Sequence, residues 1–141
     1  MTEINFYVSK DEGLQQRLAI AYRLVNQAVQ RQLIIHIHTD CEETSLKLDD
    51  YLWTKEGSSF IPHSVTSNHE NNYQEITISH EFEPITNCDY LINLSNQRPA
   101  FFSRFSKVAE ILDTNEEILT AGRKRYSFYR DRGYTLGYYQ L

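Results

Sequence analysis

Apolar and polar residues fall into short strand-like runs and three helical stretches. Ile4 to Ser9 (INFYVS) is β-branched and aromatic and predicts a first strand. Leu14, Leu18, Ala21, Tyr22, Val25, Ala28 and Val29 then recur at helical spacing, with Gln, Arg and Asn between them. Leu33 to Thr39 (LIIHIHT) predicts a second strand, too apolar to lie at an edge with water on both faces. Thr39 and Asp40 stand where a cap is needed for a helix over Cys41 to Trp53. Lys55 to Ser67 reads as a loop. Gln74 to His80 and Tyr90 to Ser95 read as strands, residues 98–105 as one ambiguous helical turn, and Val108 to Leu112 as a further strand. Thr114 or Asn115 caps a last helix running toward Gly133, with Glu116 and Glu117 favourably placed in its first turn. Tyr134 to Leu141 predicts a final strand.

Strands alternating with helices in this order predict an α/β fold. The expected architecture is a single domain over residues 1–141, with a mostly parallel or mixed central sheet and helices on both faces. It is Rossmann-like without a phosphate-binding loop. Neither G-x-x-x-x-G-K-[ST] nor G-x-G-x-x-G occurs, and the five glycines, at 13, 57, 122, 133 and 137, are isolated. Gly13 follows the first strand, but acids precede it and would repel a phosphate at the helix N-terminus.

Length and composition narrow the class. The chain has 141 residues, 40% hydrophobic and 23% charged, a globular balance. No apolar run approaches the roughly 20 residues of a spanning helix, and the acidic N-terminus does not read as a signal peptide. Two cysteines, Cys41 and Cys88, are too few for a disulfide framework, so a cytoplasmic protein is expected. Net charge is −5, but the segment 123–132 holds five cations against Asp131 alone. That segment is +4, which leaves −9 for the rest of the chain. An acidic body with one basic segment disfavours wrapping a long nucleic acid and suits capture of a small anionic ligand.

Candidate catalytic groups are sparse. His36 and His38 sit two apart on a strand and so face one way, with Asp40 behind them. Their metal reading, a metal-dependent hydrolase, lacks a third ligand at a recognisable spacing. The other reading is two histidines hydrogen-bonded on a partly buried face. Asp49 and Asp50 are adjacent, about 100° apart on a helix, which does not pair an acid with a base. No nucleophile constellation stands out, and no cofactor is implied.

Two stretches read as binding surfaces. In YLWTKEGSSFIPH, Trp53 ends a helix and Phe60, Ile61 and Pro62 follow on a loop. These groups either seal the core or meet a partner that covers them. In AGRKRYSFYRDRGY, Arg123, Tyr126 and Arg130 fall at i, i+3 and i+7 and share a helix face. A guanidinium beside an aromatic ring holds a carboxylate while the ring packs apolar atoms, a fit for an acidic peptide tail ending in a hydrophobic residue. The alternative is a basic helix end that complements its own dipole. Direct single-stranded nucleic-acid binding by this basic, tyrosine-rich helix is a further rival, disfavoured by the acidic body.

LDDYLWTKEGSSFIPHSV and KRYSFYRDRGYTL, with INFYV and YLINLS, resemble the chi-subunit family of bacterial DNA polymerase III holoenzyme, over essentially the whole chain. The resemblance implies a non-catalytic replication adaptor. Such a protein pairs with the psi subunit, joins the clamp loader through it, and grips the acidic C-terminal tail of single-stranded-DNA-binding protein. It implies no membrane partner and no strong direct DNA binding. Arg123 matches the arginine that dominates tail capture, and Arg125, Tyr126, Tyr129 and Arg130 match the pattern around it. Leu119 and Ser127 stand where the family pattern has lysines, and Lys124 adds a cation nearby. Trp53, Phe60 and Pro62, with Ile61 and His63 beside them, match the surface that meets psi.

Overall fold

Seven strands join one sheet in the order β3-β4-β2-β5-β6-β1-β7, and every neighbouring pair is parallel. The strands are β1 (Glu3–Val8), β2 (Ile35–His38), β3 (Ser64–Val65), β4 (Ile76–Ser79), β5 (Tyr90–Asn93), β6 (Lys107–Leu112) and β7 (Thr135–Gln140). Three helices connect them: α1 (Leu14–Gln30), α2 (Glu42–Thr54) and α3 (Glu116–Asp131). This is a computed structural model, and it describes residues 2–54, 64–65, 76–80 and 89–141.

The expected α/β architecture is present, and among the described residues the sheet is wholly parallel rather than mixed. β2, read as too apolar for an edge, lies between β4 and β5. The ambiguous stretch at 98–105 contains a single 3-10 turn, Phe102–Arg104. One reading is corrected. Ser64–Val65, assigned to a loop, form the edge strand β3 against Thr77 and Ile78. Two residues are too few to show any periodicity, so only pairing reveals them.

The two faces of the sheet carry separate cores. On one, α1 and α2 pack Leu18, Ala21, Val25, Leu48 and Leu52 onto Ile35, Ile37, Ile76, Ile78 and Ile92. On the other, α3 and the 3-10 turn pack Tyr129, Phe102 and Phe105 onto Ile4, Phe6, Leu91, Val108 and Leu112. Each aliphatic side chain buried this fully contributes about 1.5–3 kcal/mol relative to exposure. Alternation along the strands sets the division: in β5, Leu91 faces α3 while Tyr90 and Ile92 face α1 and α2.

Helix ends follow local chemistry. Asn115 caps α3, its side-chain oxygen accepting the N–H groups of Glu117 (3.0 Å) and Ile118 (3.3 Å). The N-terminus of α1 is met by a carboxylate of the chain itself. Asp113, 1% exposed just after β6, accepts from the Gly13 N–H (3.0 Å) and Arg17 Nε (3.1 Å) on Oδ2. Its Oδ1 accepts the Asn115 N–H at 2.8 Å. The helix terminus that holds a phosphate in nucleotide-binding α/β domains is thus faced by an internal carboxylate.

Candidate functional site

α3 packs over β6 and β7, with Gly122 set against Leu112. A Cβ built on Gly122 would stand 2.5 Å from Leu112 Cδ1, so any larger residue there needs the end of that side chain to shift. Beside that contact, between α3 and the ends of β1, β6 and β7, opens a pocket of about 600 Å³. Phe6, Leu112 and Leu119 give it apolar walls, and Tyr126 and Tyr138 give aromatic ones. Phe6 and Tyr138 are register partners on neighbouring strands, and the Tyr126 ring lies 5.3 Å from Phe6 and 6.3 Å from Tyr138. Arg123, Arg130 and Ser127 complete the lining.

The two guanidiniums belong to exposed residues. The Arg130 Nε and Nη2 lie 3.5 Å from Asp131 Oδ1, at the outer limit of a bond and between exposed groups, so the pairing is weak. Cations above an apolar floor suit a ligand with a hydrophobic group and a carboxylate close together.

Of the residues picked out along this helix, Leu119, Arg123, Tyr126, Ser127 and Arg130 line this one pocket. Lys124 does not: it lines a separate cavity with Arg125 on another flank of α3. Arg125 is not a surface residue at all. It is 5% exposed, and its Nε donates to Glu110 Oε1 at 3.0 Å. Glu110 is fully buried and also accepts from Asn93 Nδ2 (2.8 Å) and the Tyr129 hydroxyl (2.7 Å). Burial pushes the Glu110 carboxyl up, and Arg125 and the donated hydrogen bonds oppose that shift. Burial and the neighbouring carboxylate push the Tyr129 phenol up. Neither group is free to meet a ligand; the cluster ties α3 to β5 and β6.

Sequence reasoning missed Phe6, Leu112, Gly122 and Tyr138. The first, second and fourth come from three different strands, and only the crossing order of the sheet joins them. Gly122, Arg125 and Tyr129 did carry a signal. They repeat the i, i+3, i+7 spacing of Arg123, Tyr126 and Arg130, one residue out of phase, and they form the inward face.

Of the histidine pair, His36 lies in the core and His38 is half-buried. His36 is 1% exposed, its Nδ1 lies 2.7 Å from Thr77 Oγ1, and its ring packs on Phe101 and Phe105. Burial, and then the charges of His38 and Arg104, pull its pKa down to about 3. His38 also packs on Phe101 and is lowered chiefly by burial. Asp40 is exposed past the strand end. Among the described residues no group of three or more His, Cys, Asp or Glu is placed to hold a metal ion. Of the second predicted surface, Trp53 lies in the last turn of α2, and Phe60, Ile61, Pro62 and His63 fall outside the described residues. No described helix is long and apolar enough to cross a membrane.

The sequence resembles known proteins along its length. The family model for the DNA polymerase III chi subunit, HolC, matches residues 1–137. The DNA polymerase III subunit chi of Pseudomonas aeruginosa is 33% identical over 141 residues, covering 100% of this chain and 98% of that protein. The protein of that name from Haemophilus influenzae is 27% identical over 101 residues, 71% of this chain and 70% of its own length. The Escherichia coli protein of that name is 25% identical over 96 residues, 67% of this chain and 65% of its own.

Proposed function

The chain belongs to the DNA polymerase III chi-subunit family of replication accessory proteins, and from that premise we propose that it is a cytoplasmic, non-catalytic adaptor with two peptide-binding faces. One face takes the acidic C-terminal tail of single-stranded-DNA-binding protein in the pocket under α3. The other, around Trp53, Phe60, Ile61, Pro62 and His63, docks the psi subunit by apolar burial and so joins the clamp loader. The observation that carries the tail reading is the pocket itself, two exposed guanidiniums over a floor of Phe6, Leu112 and Leu119. The chemistry follows from the parts. The terminal hydrophobic side chain enters between Tyr126, Leu119 and Phe6. Its carboxylate meets the Arg123 fork, which donates a bidentate pair of hydrogen bonds to it. Arg130 attracts the acids upstream. Leu119 and Ser127, where the family pattern has lysines, leave the mouth less cationic, so the apolar wall carries more of the affinity. Each contact is weak alone, and a polymerase facing many tails gains by avidity.

The test is a fluorescence anisotropy titration of a labelled tail peptide against the full chain and Arg123→Ala. Micromolar binding, weakened about tenfold or more in the variant and reduced by salt, is the expected result. A peptide that binds both proteins equally overturns the placement. A peptide that binds neither overturns the tail reading.

A further inference from the structure

A second cavity, of about 490 Å³, lies on the flank of α3 away from the Arg123 pocket and shares no residue with it. Asn96, Thr120 and Ala121 wall it, Lys124 and Arg125 supply cations, and Glu116 and Glu117 close one end. Arg125 is 5% exposed and spends only its Nε on Glu110. Its Nη1 and Nη2 are buried without a hydrogen-bond partner among the described residues. Those donors are closed off from the cavity, so Lys124, which is exposed, is the cation its opening presents.

The cavity continues along the helix as a cationic row. Lys124, Phe128 and Arg132 are spaced four apart and stack up one side of α3. The guanidinium carbon of Arg132 sits 3.6 Å from the Phe128 ring centroid, and that of Arg98, from the segment after β5, sits 3.7 Å from the same centroid. At that stacking distance the two groups lie on opposite faces, so one phenyl ring is sandwiched between two like charges about 7 Å apart. Among the described residues none of Arg98, Lys124 or Arg132 has an acid within ion-pair range. The ring braces both guanidiniums by cation–π contact, so two cations without an acid partner are held in place ahead of an anionic ligand.

We propose that this row and its cavity form a further peptide-binding face, for an extended acidic segment that needs no free C-terminus. One Asp or Glu carboxylate accepts from Lys124 Nζ at the cavity, and the next acids lie along Arg98 and Arg132. The dimensions agree. From residue 124 to 132 the helix rises about 12 Å, and acids at alternate positions of an extended peptide span about 13 Å over three charges. A short acidic peptide fits better than a nucleic-acid strand. Glu116 and Glu117 and the −9 body repel a long polyanion. The Phe128 face, where a base would stack, is already covered by guanidiniums. This site is independent of the Arg123 reading.

The probe is a fluorescein-labelled peptide of alternating Glu and Gly, blocked at both ends so that it offers no terminal carboxylate. It is titrated into the full chain at low salt. Saturable binding is expected, weakened about fivefold in Arg98→Ala/Arg132→Ala. A control that removes two exposed cations elsewhere, Arg23→Ala/Arg31→Ala, and Arg123→Ala, which disables the first pocket, both retain it. Lys124→Glu, at an exposed position, repeats the loss should the double variant melt early. Absence of saturable binding overturns the proposal. So does equal weakening by the Arg23/Arg31 control, loss in Arg123→Ala, or binding of an oligothymidylate in place of the peptide.

Discussion

Acid should unfold this protein through His36, and the size of the effect follows from where that ring sits. It lies in β2 at the middle of the sheet, 1% exposed, between Thr77 on β4 and the Phe101 and Phe105 rings. Among the described residues nothing there solvates an imidazolium, and its pKa falls from 6.5 to about 3. The sign is fixed by comparing proton uptake. Between pH 6.5 and 3 the unfolded chain takes up a proton at this position and the folded one does not, so stability is full above 6.5 and drains as pH falls. From pH 7.5 to 5.0 the loss is about 2 kcal/mol for this one group. With the entropy of a chain this long, that is a drop in Tm of roughly 7 °C. Carboxylates and His38 add their own slopes, so the comparison is with His36→Gln, which cannot titrate. Urea unfolding followed by circular dichroism at the two pH values gives both differences. The variant is less stable at pH 7.5, yet it should lose about 2 kcal/mol less than the parent on acidification. Equal losses in the two proteins would refute a neutral, buried His36.

Asp113→Ala leaves the Gly13 and Asn115 N–H groups and the Arg17 guanidinium without their acceptor. It should cost about 2–4 kcal/mol in denaturant unfolding. Gly122→Ala asks Leu112 to move by about 1 Å to reach ordinary carbon contact, and Leu112 is a pocket wall. Strain there is partly offset by about 1 kcal/mol of helix propensity. Tm should therefore change little while tail-peptide affinity falls roughly threefold or more, about one buried methylene, as read by anisotropy.

Periodicity made most of the architecture legible, because each long element buries one face and the rest of the chain must alternate around it. α1 follows the predicted apolar positions, and β2 takes the interior place its composition required. Asn115 announces the start of α3 by its own chemistry. What stayed hidden depends on pairs far apart in sequence. Asp113 stands a hundred residues from the helix end it satisfies. The floor of the Arg123 pocket comes from residues 6, 112 and 138, which no local pattern links.

The basic segment shows most clearly why charge counting alone misleads. Five cations between residues 123 and 132 look like one patch, but helical phase sends them in three directions. Arg123 and Arg130 face the apolar pocket, Arg125 turns inward onto Glu110, and Lys124 and Arg132 lie along the far flank. Their work differs accordingly. A buried guanidinium fixes the helix on the sheet, and loss of its partner would strand a charge. The exposed ones cost the fold little and are free to meet anions. Because the buried cluster sets the rotation of α3, it also decides which cations look into each cavity. The same inward face that holds the core together therefore orients both flanks for binding.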